Sequence, residues 1–381
     1  MSWTIFYTTE HQEATILGCS GSEPSLSLPD EIDGFPVTNL GPNFFVEDTS
    51  SAKHTRSLVL IKKPPPNTGR NGNKTLKHLT LPAHLRRIAS RGFAGCSALI
   101  RLELPPSVET LGTRVFDHCR SLNRIQLSES LTALPDYAFA DCRSLETLTI
   151  PQSVTEIGNQ CFYNCTKLQA IELPHWLQTI GSGIFMNCSH LQKLSFPLGI
   201  NASVLLADLY QKLEVTVQSA QKSTRLLFPE YAYEFEDIVM PRQFRTITYG
   251  SGGRYRKCIN GAFIDLELYD SLFWLAKLEE SPETVATLAL FRLMDPEQLR
   301  TEAQEQYLSY LHQNIASLSQ EVIAGDKDAE LEFLLTRCAL DPHHLNVLME
   351  CARQINHPRF VSRILDATGS ASSGADKAFD L

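Results

Sequence analysis

The sequence predicts an α/β chain in two parts, a solenoid of short strands followed by an all-helical array. Three observations carry this. From Thr75 to Pro197 the chain repeats itself every 23 residues. Within each repeat two apolar residues stand at strand spacing. Beyond about residue 259 the apolar period becomes that of a helix. A fixed period of this size marks a stacked architecture, because one unit cannot bury its apolar side alone.

The repeat is defined by rails. Cysteine recurs at Cys96, Cys119, Cys142, Cys165 and Cys188, and phenylalanine three residues earlier at Phe93, Phe116, Phe139, Phe162 and Phe185. Leucine follows three residues later, at Leu99, Leu122, Leu145, Leu168 and Leu191, and opens a Leu-x-x-Leu-x-Leu-Pro unit such as Leu99, Leu102, Leu104, Pro105. Positions 79 and 81, 102 and 104, and their equivalents to 194 and 196 are apolar at period two, so each pair is the inward side of a short strand. The remaining rails are irregularly spaced and belong to a returning segment.

This unit closely resembles the BspA-like variety of leucine-rich repeat, with Pro after the strand and Phe-x-x-Cys on the return. The resemblance covers roughly residues 24–197. It implies a leucine-rich repeat solenoid with a parallel β-sheet on the concave face and an irregular convex side.

In chain order, residues 1–74 read as an N-terminal cap with degenerate repeats. Leu26, Leu28 and Pro29 imitate the strand, Val37, Leu40, Gly41 and Phe45 the return, and Leu58–Ile61 the next strand. Lys62–Lys74 interrupts the period with Pro, Gly and Asn and reads as an exposed loop. Residues 75–228 hold the regular repeats, then a short helix over 201–212 and a closing strand on Leu213, Val215 and Val217. Residues 229–258 read as a junction. The helical domain spans 259–368, with helices expected at 266–278, 282–293, 296–316, 319–324, 329–338, 342–354 and 359–365. Residues 326–364 faintly resemble ankyrin-type helix pairs. A disordered tail is expected over 369–381.

At 381 residues the chain is too long for one core. It has no run of ~18 apolar residues, and residues 1–19 lack a basic and apolar leader. These points place it in the cytoplasm, while the resemblance keeps the cell surface open. Neighbouring rails standing ~5 Å apart leave disulfides geometrically open, but without an export signal reduced thiols are expected. Residues 49–102 contain no Asp or Glu and eleven Lys or Arg. Removing these from the net charge of −9 leaves −20 elsewhere, and 259–366 is acidic, with eighteen Asp/Glu against eight Lys/Arg.

No catalytic constellation or metal site is identified, and an enzyme in residues 229–366 ranks third among the expectations, behind the two binding readings given below. The Cys rail spreads its sulfurs along an axis instead of converging them, so it reads as core packing. Gly250-Ser-Gly-Gly253 followed by Arg254, Arg256 and Lys257 lacks the strand–loop–helix context of a phosphate loop and reads as a flexible basic turn. His343-His344 stands at a helix start, where capping explains it. The Asn-x-Ser/Thr matches at Asn164 and Asn187 lie on the rail. No cofactor is implied.

The outward strand residues are polar and varied. One column runs His78, Arg101, Arg124, Thr147, Ala170, Lys193, and its neighbour Thr80, Glu103, Gln126, Thr149, Glu172, Ser195. A solenoid presents such columns as a binding surface, against the alternative of a solvated sheet face. The leading expectation is a non-enzymatic scaffold binding a protein partner there. The rival is an anion-binding protein, engaging nucleic acid or an anionic surface through Lys62, Lys63, Arg70, Lys74, Arg86 and Arg87. Partner identity and oligomeric state are not legible.

Overall fold

The computed structural model describes residues 3–45, 59–62, 72–219, 222–238 and 243–375. The chain forms two compact units, Met1–Lys222 with Ile259–Phe263, and Ser223–Cys258 with Ile264–Leu381.

The first unit opens with an antiparallel hairpin, β1 (Thr4–Glu10) and β2 (Glu13–Ser20), that the repeat pattern did not announce. β3 (Ser25–Ser27) follows, then β4 (Glu31–Ile32) and β5 (Phe35–Leu40), paired around the Asp33-Gly34 turn. Leu26 sits opposite Leu79, and Leu40 opposite Ile88, so the imitation of strand and return is structural. β6 (Val59–Ile61) departs from expectation. It pairs with β1 instead of standing between β3 and the first regular strand, and β3 pairs directly with that strand. The reason is that Val59 and Leu60 are exposed, so this segment has no inward apolar pair to seat in the stack.

The regular array alternates a three-residue strand with a two-residue one: β7 (His78–Thr80) and β8 (Arg87–Ile88), β9 (Arg101–Glu103) and β10 (Thr110–Leu111), β11 (Arg124–Gln126) and β12 (Ala133–Leu134), β13 (Thr147–Thr149) and β14 (Glu156–Ile157), and β15 (Ala170–Glu172) and β16 (Thr179–Ile180). The three-residue strands run parallel as β3-β7-β9-β11 and, with β17 (Lys193–Pro197) and β18 (Leu213–Gln218), as β13-β15-β17-β18. The two-residue strands form their own parallel ladders. Each central residue, from Leu79 to Leu194, is buried between two more exposed ones. Helix α1 (Ala202–Leu206) is shorter than the 201–212 span expected, and β18 closes the stack where the sequence placed it.

The return segments stack their phenylalanines face to face. Successive ring centroids from Phe93 to Phe185 are 5.6, 5.2, 5.6 and 5.7 Å apart, with interplanar angles of 8–19°. Phe44 and Phe45 continue the stack at its N-terminal end, meeting Phe93 in an edge and a tilted contact respectively. The cysteines are core, and they also bond. Each thiol from Cys119 to Cys188 donates to the carbonyl of the Phe 26 residues earlier, at 3.1–3.3 Å. The same carbonyl accepts the amide of its own repeat's cysteine, as in Cys119 N to Phe116 O at 3.1 Å. A small apolar side chain with one donor meets both demands.

Two columns per repeat are left-handed. One runs Arg91, Arg114, Tyr137, Gln160, Gly183, and the other Gly95, His118, Asp141, Asn164, Asn187, with φ between 50 and 75°. Asn, Asp, His and Gly tolerate this region best, which explains Asn164 and Asn187 without reference to glycosylation. At Gly112 and Gly181 an added Cβ would lie within 2.4 Å of the preceding turn's backbone, which explains the glycine rail.

The second unit begins with β19 (Ser223–Phe228) and the antiparallel pair β20 (Ala232–Ile238) and β21 (Gln243–Tyr249). The turn at 250–257 is not a flexible basic loop. It carries a short helix α2 (Gly252–Tyr255); Ser251 is fully buried and donates through N and Oγ to Glu280, at 2.8 and 2.6 Å. Arg256 donates to Pro229 O and Gly252 O, and a Cβ on Gly252 would lie 2.1 Å from Pro229 O. The glycines serve close packing.

Eight helices follow: α3 (Leu266–Ser271), α4 (Phe273–Glu279), α5 (Pro282–Met294), α6 (Thr301–Gln313), α7 (Ile315–Ala324), α8 (Asp328–Arg337), α9 (Pro342–Gln354) and α10 (Pro358–Ala375). The expected 266–278 helix breaks at Leu272, and the expected 296–316 helix starts only at Thr301 and gives way to α7 at Asn314–Ile315. α10 continues past 369, where a tail was expected; 376–381 lie outside the described residues. α5 is buried on nearly every side, and its Arg292 is wholly enclosed. Both Asp270 oxygens accept from Arg292, at 2.7 and 2.8 Å, and Tyr307 donates to the same carboxylate at 2.8 Å. Asp341 and His344 form a reciprocal cap at the start of α9, the role expected at His343-His344.

Candidate functional site: the exposed face of the strand ladder

The pairing register settles which side chains share a file. His78 pairs with Arg101 and Arg101 with Arg124; Glu103 pairs with Gln126. In the second segment Thr147, Ala170 and Lys193 are in register, as are Thr149, Glu172 and Ser195. Because strand side chains alternate, these files lie on the face opposite the buried Leu and Ile file. His78, Arg101, Glu103, Arg124, Gln126, Thr147, Thr149, Glu172 and Lys193 are all exposed.

The two ends of this face differ. At the C-terminal end the polar groups are engaged: Gln218 donates to Glu172 and to Ser195, at 2.7 and 2.8 Å, and Lys193 lies 3.7 Å from Glu214. At the N-terminal end an open groove of about 500 Å³ is lined by His78, Thr80, Arg101, Glu103, Gln126 and the Pro105-Pro106 step. Nothing in the repeat pattern singled out the prolines as a wall; the doubled Pro after β9, against at most one Pro at that place in the other repeats, is the signal that marks it.

Of the rival basic set, some of the described members are already engaged. Lys62 is bonded to Asp33 at 3.2 Å, Arg86 lies 3.8 Å from Glu13, and Arg87 belongs to the ladder of two-residue strands. Lys74 is exposed, and Lys63 and Arg70 lie outside the described residues.

On the return side Asp117, His118 and Asp141 bring ligand-type atoms within 4.8 Å of one another. Their charge is already compensated. Arg114 bonds Asp117 at 3.2 Å, while Arg143 and Asn164 bond Asp141 at 2.7 and 2.6 Å. A divalent cation there would face two guanidiniums, so the cluster is a structural network. It was visible in sequence only as the Gly/His/Asp/Asn/Asn column preceding each cysteine.

All ten cysteines are free, and nine are buried. Burial pushes the thiols of Cys96 and Cys188 up to about 12, and those of Cys119, Cys142 and Cys165 well above their ordinary value. A thiol reagent at pH 8 should therefore label Cys351, half-buried, and spare the rail until the protein unfolds. Unfolded thiols ionise near ~8.5, so the unfolded chain loses protons first as pH rises. The thiols' contribution to stability is complete below that pH and is lost on the way to 12. Rapid native labelling of Cys119 or Cys142, or a flat alkaline stability profile, contradicts the buried rail.

A parallel ladder of three-residue strands, a second ladder of two-residue strands and a stacked phenylalanine return define a leucine-rich repeat solenoid. Residues 71–192 match the family model of the BspA type leucine rich repeat region, in six copies. Among solved structures, the chain is similar to the T. pallidum leucine rich repeat protein, at 26% identity over 51% of this chain and 70% of that one, with a TM-score of 0.35. It is also similar to a leucine-rich repeat protein from Bacteroides ovatus, at 19% identity over 51% and 63%, with a TM-score of 0.31. No curated protein matches. Among the described residues no helix is long and apolar enough to cross a membrane.

Proposed function

We propose that the chain is a non-enzymatic scaffold that binds a protein partner on the exposed face of its three-residue strands. The groove at His78, Arg101, Glu103 and Gln126 carries this reading, since it is the part of the face with free polar groups, and a rigid strand frame supports it. Such a frame costs little ordering on binding. Pairing of Lys62 and Arg86 with acids weighs against the rival in which the basic block is the interface. Ten free thiols favour a reducing compartment, the cytoplasm.

The test is affinity capture with the full chain and two double variants. Arg101→Ala with Arg124→Ala should weaken the principal partner by roughly 1–2 kcal/mol. Arg120→Ala with Lys167→Ala, both exposed on the return side, should leave it unchanged. Neither pair should move the melting midpoint. Weakening by the return-side pair alone refutes the face assignment.

A further inference from the structure

We propose that the file His78–Arg101–Arg124 receives the carboxylates of an acidic helix on the protein partner. This rests on the ladder face being the binding surface.

His78, Arg101 and Arg124 occupy consecutive rungs in register. Rungs stand ~4.8 Å apart, so the file is roughly 10 Å long. Like charges directly opposite on neighbouring strands are destabilising, and neither arginine has an acidic partner among the described residues. Five other cations of this unit, Lys62, Arg86, Arg114, Arg143 and Lys193, each lie within 4.0 Å of a carboxylate. Two in-register arginines with no carboxylate partner among the described residues, one of them lining an open groove, are complementary to external anions.

Spacing selects the form of the anion. Side chains at i and i+4 of a helix lie about 5–6 Å apart, close to one rung, whereas same-face residues of an extended chain lie about 6.7 Å apart and drift off register. Each guanidinium takes a carboxylate in a two-bond fork. The file is flanked by Glu103 and gives way to Thr147 and Ala170 in the following repeats, and among the described residues no Phe, Tyr or Trp lines the groove. A phosphate backbone would meet a carboxylate beside a short cation file and no stacking surface.

The probe is a fluorescent alanine-rich helix with glutamate at every fourth position, its glutamine counterpart, inorganic polyphosphate and duplex DNA, titrated against the full chain. The glutamate helix should bind, and its affinity should fall with salt. It should lose about tenfold with Arg101→Ala plus Arg124→Ala, and keep its affinity with Arg120→Ala plus Lys167→Ala. Glutamine should abolish binding. Equal binding of the glutamate and glutamine helices, or tighter arginine-dependent binding of polyphosphate or DNA, overturns the assignment. Gln126→Trp blocks the face without changing its charge. A captured partner lost with Gln126→Trp but indifferent to the arginine pair defeats the acidic helix and leaves the face standing. Indifference to both defeats both.

Discussion

Phe139→Ala should lower the unfolding free energy by about 3–5 kcal/mol, the usual range for a buried phenylalanine. Its ring is fully buried between Phe116, 5.2 Å away, and Phe162, 5.6 Å away. Removing it takes one stacking face from each neighbour and leaves a cavity inside a continuous column. Two arginines calibrate the effect. Arg120→Ala, exposed and unpaired among the described residues, should stay within about 0.5 kcal/mol. Arg143→Ala looks equally harmless in sequence, where it falls on the outer side of the return. Its guanidinium holds the nearly buried Asp141 through two bonds, at 3.0 and 2.7 Å. Losing it should cost about 1 kcal/mol, moderated because Asn164 still donates to the carboxylate. Denaturant melts should rank the three in that order. Equal midpoints for Phe139→Ala and Arg120→Ala would show that the phenylalanines do not carry the stack.

Arg292→Met should destabilise the helical unit by about 3–5 kcal/mol, the cost of leaving a buried carboxylate without its partner. Burial opposes the charge on Arg292, but the two bonds it donates to Asp270 outweigh it and hold the guanidinium more firmly ionised than usual. Arg292 also donates to the backbone oxygens of Asp295 and Glu297, tying down the chain after α5. Replacing Asp270 by leucine as well should recover a substantial part of the loss, because a buried ion pair is worth little against apolar residues of similar volume. If the double variant is as unstable as the sum of the single changes, the pair itself is not the origin of the effect.

The acidic composition of 259–366 disguised this centre. Asp270 and Arg292 are 22 residues apart and belong to no repeat. A buried arginine has no signature in sequence, since the same residue on an exposed helix face reads identically. The turn at 250–257 failed for a related reason. Glycines and arginines together suggest mobility, yet Gly252 is there because Pro229 O leaves no room for a Cβ. The β1–β2 hairpin was missed because capping an open solenoid end requires only strand pairing, which no repeat encodes.

What the sequence by itself determined is the stack, including its period, strand positions, inward rails and closing strand. A 23-residue repeat forces each rail into one file, and each inward residue must then suit identical neighbours above and below, so the constraint is written at every repeat. The exposed columns were legible for the same reason, as the positions the stack leaves free. Only the tertiary structure decided which of those free positions are occupied by other parts of the molecule. Glu172 is engaged by Gln218, 46 residues away, and Lys193 by Glu214, while Arg101 lines the groove with the proline wall and, like Arg124, has no carboxylate partner among the described residues. Side-chain pairing across rungs depends on distances that a period does not specify, so the boundary between solvated sheet and candidate site emerges only once the rungs are assembled.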